Sequence, residues 1–171
     1  MNQPDVMKGN VSVKKYSQKP VEEAHFKYLS SAIRSCSSMD NRQPWKVVAV
    51  RDEQLKKSIA GACGNGKQFM EAPVILVLCA FPDDAYPTLG GFINSFSVDA
   101  GVLMERISAA ARQMGLQTEW AFVFKEEKIR EIIRAPDYAR IVSLTPLGIP
   151  DEVVPLPPAR QPQELLTFDH F

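Results

Sequence analysis

The segment Ser37-Ser38-Met39-Asp40-Asn41-Arg42-Gln43-Pro44-Trp45 gathers two hydroxyls, two side-chain amides and a cation into one short stretch. It closes on Pro-Trp just ahead of the apolar run Val47-Val48-Ala49-Val50. An amide both donates and accepts hydrogen bonds, so such a loop suits a ring whose edge presents both functions side by side, as a uracil-like edge does. The same composition also describes an ordinary polar loop feeding a buried strand, and the segment alone does not separate the two.

Other chemistry-bearing patterns are weaker. Gly61-Ala62-Cys63-Gly64-Asn65-Gly66-Lys67 satisfies the phosphate-loop pattern G-x-x-x-x-G-K literally. Its next residue, however, is Gln68 instead of the Ser/Thr that holds Mg²⁺, and the pattern follows a helix-like run where a strand is required. The two histidines, His25 and His170, show no metal-ligand spacing, and no metal site is expected. No G-x-S-x-G elbow accompanies them, which leaves a Ser/His/Asp triad unsupported. Asp83-Asp84 and Glu126-Glu127 read as solvated turn and helix-start acids. No GxGxxG follows a strand, so a dinucleotide-binding fold is not indicated.

The elements that must position the loop follow from the pattern along the chain. With 171 residues, 45% hydrophobic and 23% charged, the composition is that of one ordinary globular domain. Lys+Arg and Asp+Glu both total 20, so no net field draws nucleic acid or anionic lipid. The N-terminus lacks the apolar core of a secretory signal. The apolar run at 72–81 is too short to span a membrane. Cys36, Cys63 and Cys79, odd in number and without CxxC spacing, read as reduced thiols. A soluble cytoplasmic domain is expected.

Residues 1–19 read as a polar strap without its own core. Pro20 followed by acids starts a helix over 21–34. Strands are expected at 46–50, 74–79 and 140–144, and helices at 53–62 and 126–133. Residues 120–124 read as extended. The longest helix runs over 94–114, where Phe96, Ala100, Leu103, Ile107, Ala110 and Met114 form one apolar stripe and Gly115 ends it. Five prolines lie between Pro150 and Pro162, so residues 150–171 read as a tail lying on a surface, a partner subunit's included. The long helix and short strands point to α+β.

Ser38, Asn41, Gln43, Pro44 and Trp45 match P-S-x-x-N-x-Q-P-W, with Ser37 at the usual proline, and the segment resembles the signature of the nitroreductase family. The likeness runs from about Lys8 to the C-terminus. It implies an α/β/α sandwich with a mainly antiparallel sheet and a long central helix, forming an intertwined homodimer. It further implies FMN as cofactor and NAD(P)H as transient electron donor. Asn10, Val11, Ser12 and Lys14 stand at the family's R-R-S-x-R segment, which contacts the FMN phosphate and ribityl chain. Ser12 fits, Lys14 keeps the charge, and Asn10 and Val11 replace arginines. Losing two such contacts costs about 1.5–3 kcal/mol each.

By the same resemblance, Ser37, Ser38, Met39, Asn41 and Gln43 face the flavin from the other subunit. Asn65 falls at an asparagine that meets the pyrimidine edge in some members, while Gln68 stands where those members have a lysine. Ala121 and Phe122 lie in the segment whose backbone N–H faces flavin N5. Leu147 and Gly148 match P-x-G-x-P, and Arg160 matches a phosphate-binding arginine downstream. Hydride then passes from NAD(P)H to N5 and on to a nitroaromatic, quinone or similar small acceptor in a ping-pong cycle. Lys14, with Arg42 behind it, is the candidate cation for the N1/O2 edge. No side chain is required as catalytic acid or base. A flavoenzyme of the same fold with other chemistry (dehalogenase, ene reductase or oxidase) and a non-catalytic weak flavin binder remain alternatives.

Overall fold

The computed structural model describes residues 11–64 and 66–170, so Asn10 and Asn65 lie outside the described residues. In chain order the elements are β1 (Ser12–Tyr16), α1 (Glu23–Arg34), β2 (Trp45–Val50), α2 (Glu53–Ala62), α3 (Gly66–Glu71), β3 (Val74–Ala80), α4 (Phe96–Gln113), β4 (Gln117–Thr118), α5 (Glu126–Ile132), β5 (Arg140–Gly148) and β6 (Pro150–Val154).

The apolar run at 74–79 becomes β3, an inner strand of a four-stranded sheet ordered β2-β3-β5-β4. All three pairings are antiparallel. Side chains alternate across a strand, so Val74, Leu76 and Leu78 join one core while Ile75, Val77 and Cys79 join the other. The first core takes Leu29 from α1 and Leu103 and Ile107 from α4. The second takes Ile59 from α2, Phe69 from α3 and Ile129 from α5. Both faces of the sheet are therefore covered by helices, which is why β3 is apolar at every position. The expected α+β sandwich with its long central helix is what the chain forms.

Local chemistry sets the helix ends. Glu22 and His25 make a reciprocal capping box at the start of α1, which gives His25 a structural task. The Asp52 carboxylate accepts from the Gln54 and Leu55 N–H groups at the start of α2. Asn94 Oδ1 accepts from Phe96 N–H at the start of α4. Gly115 ends that helix at φ +73°.

Three expectations need correction. The strap is not coreless: β1 pairs antiparallel with β6, and Val13 and Tyr16 are buried with Ala72. Irregular pairing on either side of Lys15 breaks the two-residue alternation, which turns Val13 and Tyr16 inward although they lie three apart. The first five residues of the proline-rich tail form β6, and residues 155–170 are exposed. Finally, β5 does not stop at Leu144 but continues through Pro146 to Gly148. Pro146 brings no N–H to the ladder, and next to it the Thr145 hydroxyl accepts from Glu119 N–H.

The G-x-x-x-x-G-K pattern runs from the end of α2 into α3, helix to helix, which is not the strand-to-helix setting that a phosphate loop needs. Among the described residues no helix is long and apolar enough to cross a membrane.

Candidate functional site

The loop at 37–45 is held from three directions. Within it, Ser38 Oγ accepts from Gln43 N–H at 2.8 Å, and Asn41 N–H donates to the Ser38 carbonyl. Toward α1, Gln43 Nε2 donates to the Arg34 carbonyl at 2.9 Å and to the Cys36 carbonyl at 3.4 Å. Toward α4, Met39 N–H donates to Asp99 Oδ1 at 2.9 Å, and Ser95 Oγ donates to Asp99 Oδ2 at 2.7 Å. Ser95 in turn accepts from Tyr86 N–H. Asp99 is a buried carboxylate in the first turn of α4, where the helix dipole favours an acid.

These ties support an unusual backbone. Asp40, Asn41 and Gln43 sit at φ 55°, 53° and 48°. The left-handed region costs an L-residue about 1–2 kcal/mol, with Asn and Asp more tolerant than Gln. Such strain persists only where the surroundings over-determine it, and it concentrates at functional sites. Ser37, Met39 and Asn41 are exposed, so the loop presents a hydroxyl, a thioether and an amide outward. Ser38 and Gln43 act inward, as the loop's own braces.

The strap meets a different part of the molecule. Glu119, just past β4, accepts from Ser12 Oγ at 2.9 Å and from Val13 N–H at 2.6 Å. Gln68 Nε2 donates to the Val13 carbonyl at 2.9 Å and so braces the strap. Burial and the nearby Glu119 carboxylate push the Tyr16 phenol above its ordinary range. Among the described residues its hydroxyl has no hydrogen-bond partner.

Beside this latch lies a cavity of about 390 Å³, lined among others by Ser12, Met104, Glu105, Glu119, Trp120 and Phe122. Val11 and Leu156 complete its strap and tail side. The loop residues 37–43 do not line it.

The remaining candidates divide by environment. Lys14 is exposed. Ala121 N–H donates to the Leu144 carbonyl at 2.7 Å, and Phe122 is 65% exposed. Leu147 is fully buried in the core, which leaves only its backbone available. A Cβ on Gly148 would lie 2.8 Å from Pro73 Cδ and 3.1 Å from Tyr16 Cδ1, so close packing already demands glycine there. Arg160 pairs with Glu164 at 2.9 Å within the tail. Arg42 donates to the Ala85 carbonyl at 3.3 Å and lies over the Tyr86 ring, turned to its own chain.

Asp99, Ser95 and Glu119 were not anticipated as site residues. For Asp99 a signal existed: it stands four residues before Leu103 and eight before Ile107, an acid in register with the apolar stripe. Glu119 carries no local signal, because its side-chain partners are more than a hundred residues away in sequence.

Comparison with known proteins agrees with this architecture. The model of the Nitroreductase family matches residues 7–68 and 61–149. An NADH dehydrogenase of Thermus thermophilus is 29% identical over 175 residues, covering 82% of this chain and 83% of that protein. An FMN reductase [NAD(P)H] of Bacillus subtilis is 27% identical over 168 residues, covering 90% of this chain and 67% of that protein. The crystal structure of a nitroreductase family protein from Clostridium novyi NT is 30% identical, with a TM-score of 0.81 over 86% of this chain and 84% of that one. A strained amide loop braced on the long helix and a strap latched beside a cavity are thus set in a known frame: the chain belongs to the nitroreductase family of oxidoreductases.

Proposed function

We propose that this chain is an FMN-dependent oxidoreductase that takes hydride from NAD(P)H and reduces a small acceptor such as a nitroaromatic or quinone. It works as a homodimer with two equivalent sites, each built from both protomers. The observation that carries this reading is the division of the site. In one protomer the strap and the segment 118–122 wall the cavity, while the outward groups of the braced loop do not line it. Two half-sites of this kind complete one another across a two-fold axis. Val98 and Val102, four residues apart and 48% and 43% exposed, form an apolar strip on α4 that suits a second copy. The Bacillus subtilis relative, an FMN reductase using NAD(P)H, supports the choice of cofactor and donor.

The residues present fit the ring end of FMN. Ser37 and Asn41 offer exposed hydrogen-bonding groups on a loop whose shape is imposed. With Ala121 N–H taken by Leu144, Phe122 is the residue whose N–H is open to the cofactor: among the described residues it has no acceptor. Lys14, with no ion pair among the described residues, supplies a cation at this end. When bound, FMN supplies the hydride-accepting N5 atom. The chain's own groups hold the ring, set its electrostatics and leave one face open to donor and acceptor in turn. The phosphate end is less well supplied, since Arg160 is paired with Glu164 and the Ser12 hydroxyl is held by Glu119.

The test is the visible spectrum of the purified protein, followed by anaerobic NADH and NADPH oxidation and light scattering for mass. Flavin absorption, donor oxidation and a dimeric mass are expected. Protein that stays colourless and inert after added FMN refutes the enzyme. A stable monomer carrying FMN refutes the shared site.

A further inference from the structure

Ser12 lines the cavity, and its Oγ, like the N–H of the buried Val13 behind it, is already committed to one carboxylate, that of Glu119. The bond from Val13 N–H is short, at 2.6 Å, and the pair of bonds is bidentate, one to each carboxylate oxygen. This is the arrangement an anion adopts on a strap, with the anion supplied by the chain itself. Gln68 fixes the strap from its other side through the Val13 carbonyl, so the donors are not free to swing toward a second anion without breaking that contact. Among the described residues the cavity lining contains two carboxylates, Glu105 and Glu119, and no lysine or arginine. Glu105 is offset by Arg112 at 2.7 Å, whereas Glu119 faces only neutral donors among the described residues. Arg160, the cation expected at a phosphate, is held by Glu164 in the tail.

We propose that Glu119 is a specificity residue: it occupies the Ser12 and Val13 donors of the strap, which the family resemblance puts at the phosphate, and makes this chain discriminate weakly between flavin with and without its 5′-phosphate. This rests on the flavin reading above. The dianion meets a fixed negative charge in place of free donors, so the phosphate adds little affinity to that of the ring and ribityl chain. The ring end, made by the loop and residues 121–122, makes no hydrogen bond to Glu119 among the described residues. Ligand choice at this site is therefore governed at the strap, and an uncharged riboflavin-type ligand is accepted on nearly equal terms with FMN.

Titration of the purified, flavin-stripped protein with FMN and with riboflavin, followed by flavin fluorescence and calorimetry, tests this without reference to turnover. The wild-type preference for FMN over riboflavin is expected to be below about tenfold, a charge-assisted contact being worth about that much or more. Glu119→Gln keeps an acceptor for the strap and removes the charge. It is expected to tighten FMN by about tenfold or more while leaving riboflavin within about twofold. Glu119→Asp, which keeps the charge, is expected to retain the weak wild-type preference.

A wild-type FMN preference above about a hundredfold overturns the proposal with no variant needed. So does an FMN-to-riboflavin ratio that Glu119→Gln leaves unchanged in protein shown by circular dichroism to be folded. Failure of the wild type to bind either flavin is a different result: it removes the flavin reading itself, and the assignment of Glu119 with it.

Discussion

Replacing Asp99 with alanine takes away the tie between α4 and the strained loop. Two donors lose their acceptor: Met39 N–H at 2.9 Å and the buried Ser95 hydroxyl at 2.7 Å. A buried donor left unsatisfied costs about 1–3 kcal/mol, at the upper end when its acceptor was charged. Removing the carboxylate also removes its own desolvation penalty, which offsets part of the loss. The net expectation is a destabilisation of about 2–4 kcal/mol. For a chain of this length that lowers Tm by roughly 5–15 °C. Asp99→Asn keeps an acceptor for Met39 N–H and lets Ser95 reorient, so about half of that loss is expected. Because Asp40, Asn41 and Gln43 hold left-handed conformations, the alanine variant should also open the loop to limited proteolysis well before the protein unfolds. Circular dichroism melts and urea titrations of both variants, with proteolysis mapped by mass spectrometry, supply the measurement. A change below about 0.5 kcal/mol for Asp99→Ala, the range of an ordinary surface substitution, would refute the reasoning.

Gly148→Ala places a methyl 2.8 Å from Pro73 Cδ and 3.1 Å from Tyr16 Cδ1, so a loss of about 1–3 kcal/mol is expected in a urea titration. Gly66→Ala points its methyl at the Ala60 carbonyl oxygen, 2.5 Å away, and should destabilise the α2–α3 junction more than Gly61→Ala, which meets nothing within 4 Å. Burial pushes the Cys79 thiol up to about 11, so at pH 8 native protein should resist Ellman's reagent at this position and react fully only in denaturant. Arg140 holds the Glu126 carboxyl below its ordinary range, first through their hydrogen bonds. A depressed carboxyl stabilises above its unfolded pKa of about 4.3 and loses that contribution as pH falls through the folded value. The stability gap between wild type and Glu126→Gln should therefore be open near neutral pH and close in acid, as followed by melts across pH.

Much of the fold is legible in the sequence because the contacts that make it leave periodic marks. Leu103 and Ile107 recur on one helical face, and Val74 to Cys79 reads as a strand covered on both sides. Gly115 ends the long helix at the position where the sequence puts its stop. The loop at 37–45 is legible for a similar reason, since its amides, hydroxyls and Pro-Trp ending are contiguous. Strand β1 is not legible. Its irregular pairing turns Val13 and Tyr16 to one side, and its partner β6 lies in a proline-rich stretch at the far end of the chain. Strand β5 runs past Pro146 because Leu147 pairs with Val74 of β3 on one side and with Thr118 of β4 on the other, contacts distant in sequence.

What the sequence alone determined is four of the helices to within two residues, the core strands β2 and β3 with most of β5, and the amide-rich make-up of the loop at 37–45. Each depends on neighbours a few residues apart, where spacing and backbone preference are decisive. What only the tertiary structure decided is which of those groups are free. Ser38 and Gln43 brace the loop while Ser37 and Asn41 face outward, and Gly148 is demanded by Pro73 and Tyr16. The strap's donors are already held by Glu119. A hydrogen bond between residues 12 and 119 costs chain entropy that only the whole fold repays, and it leaves no periodicity behind.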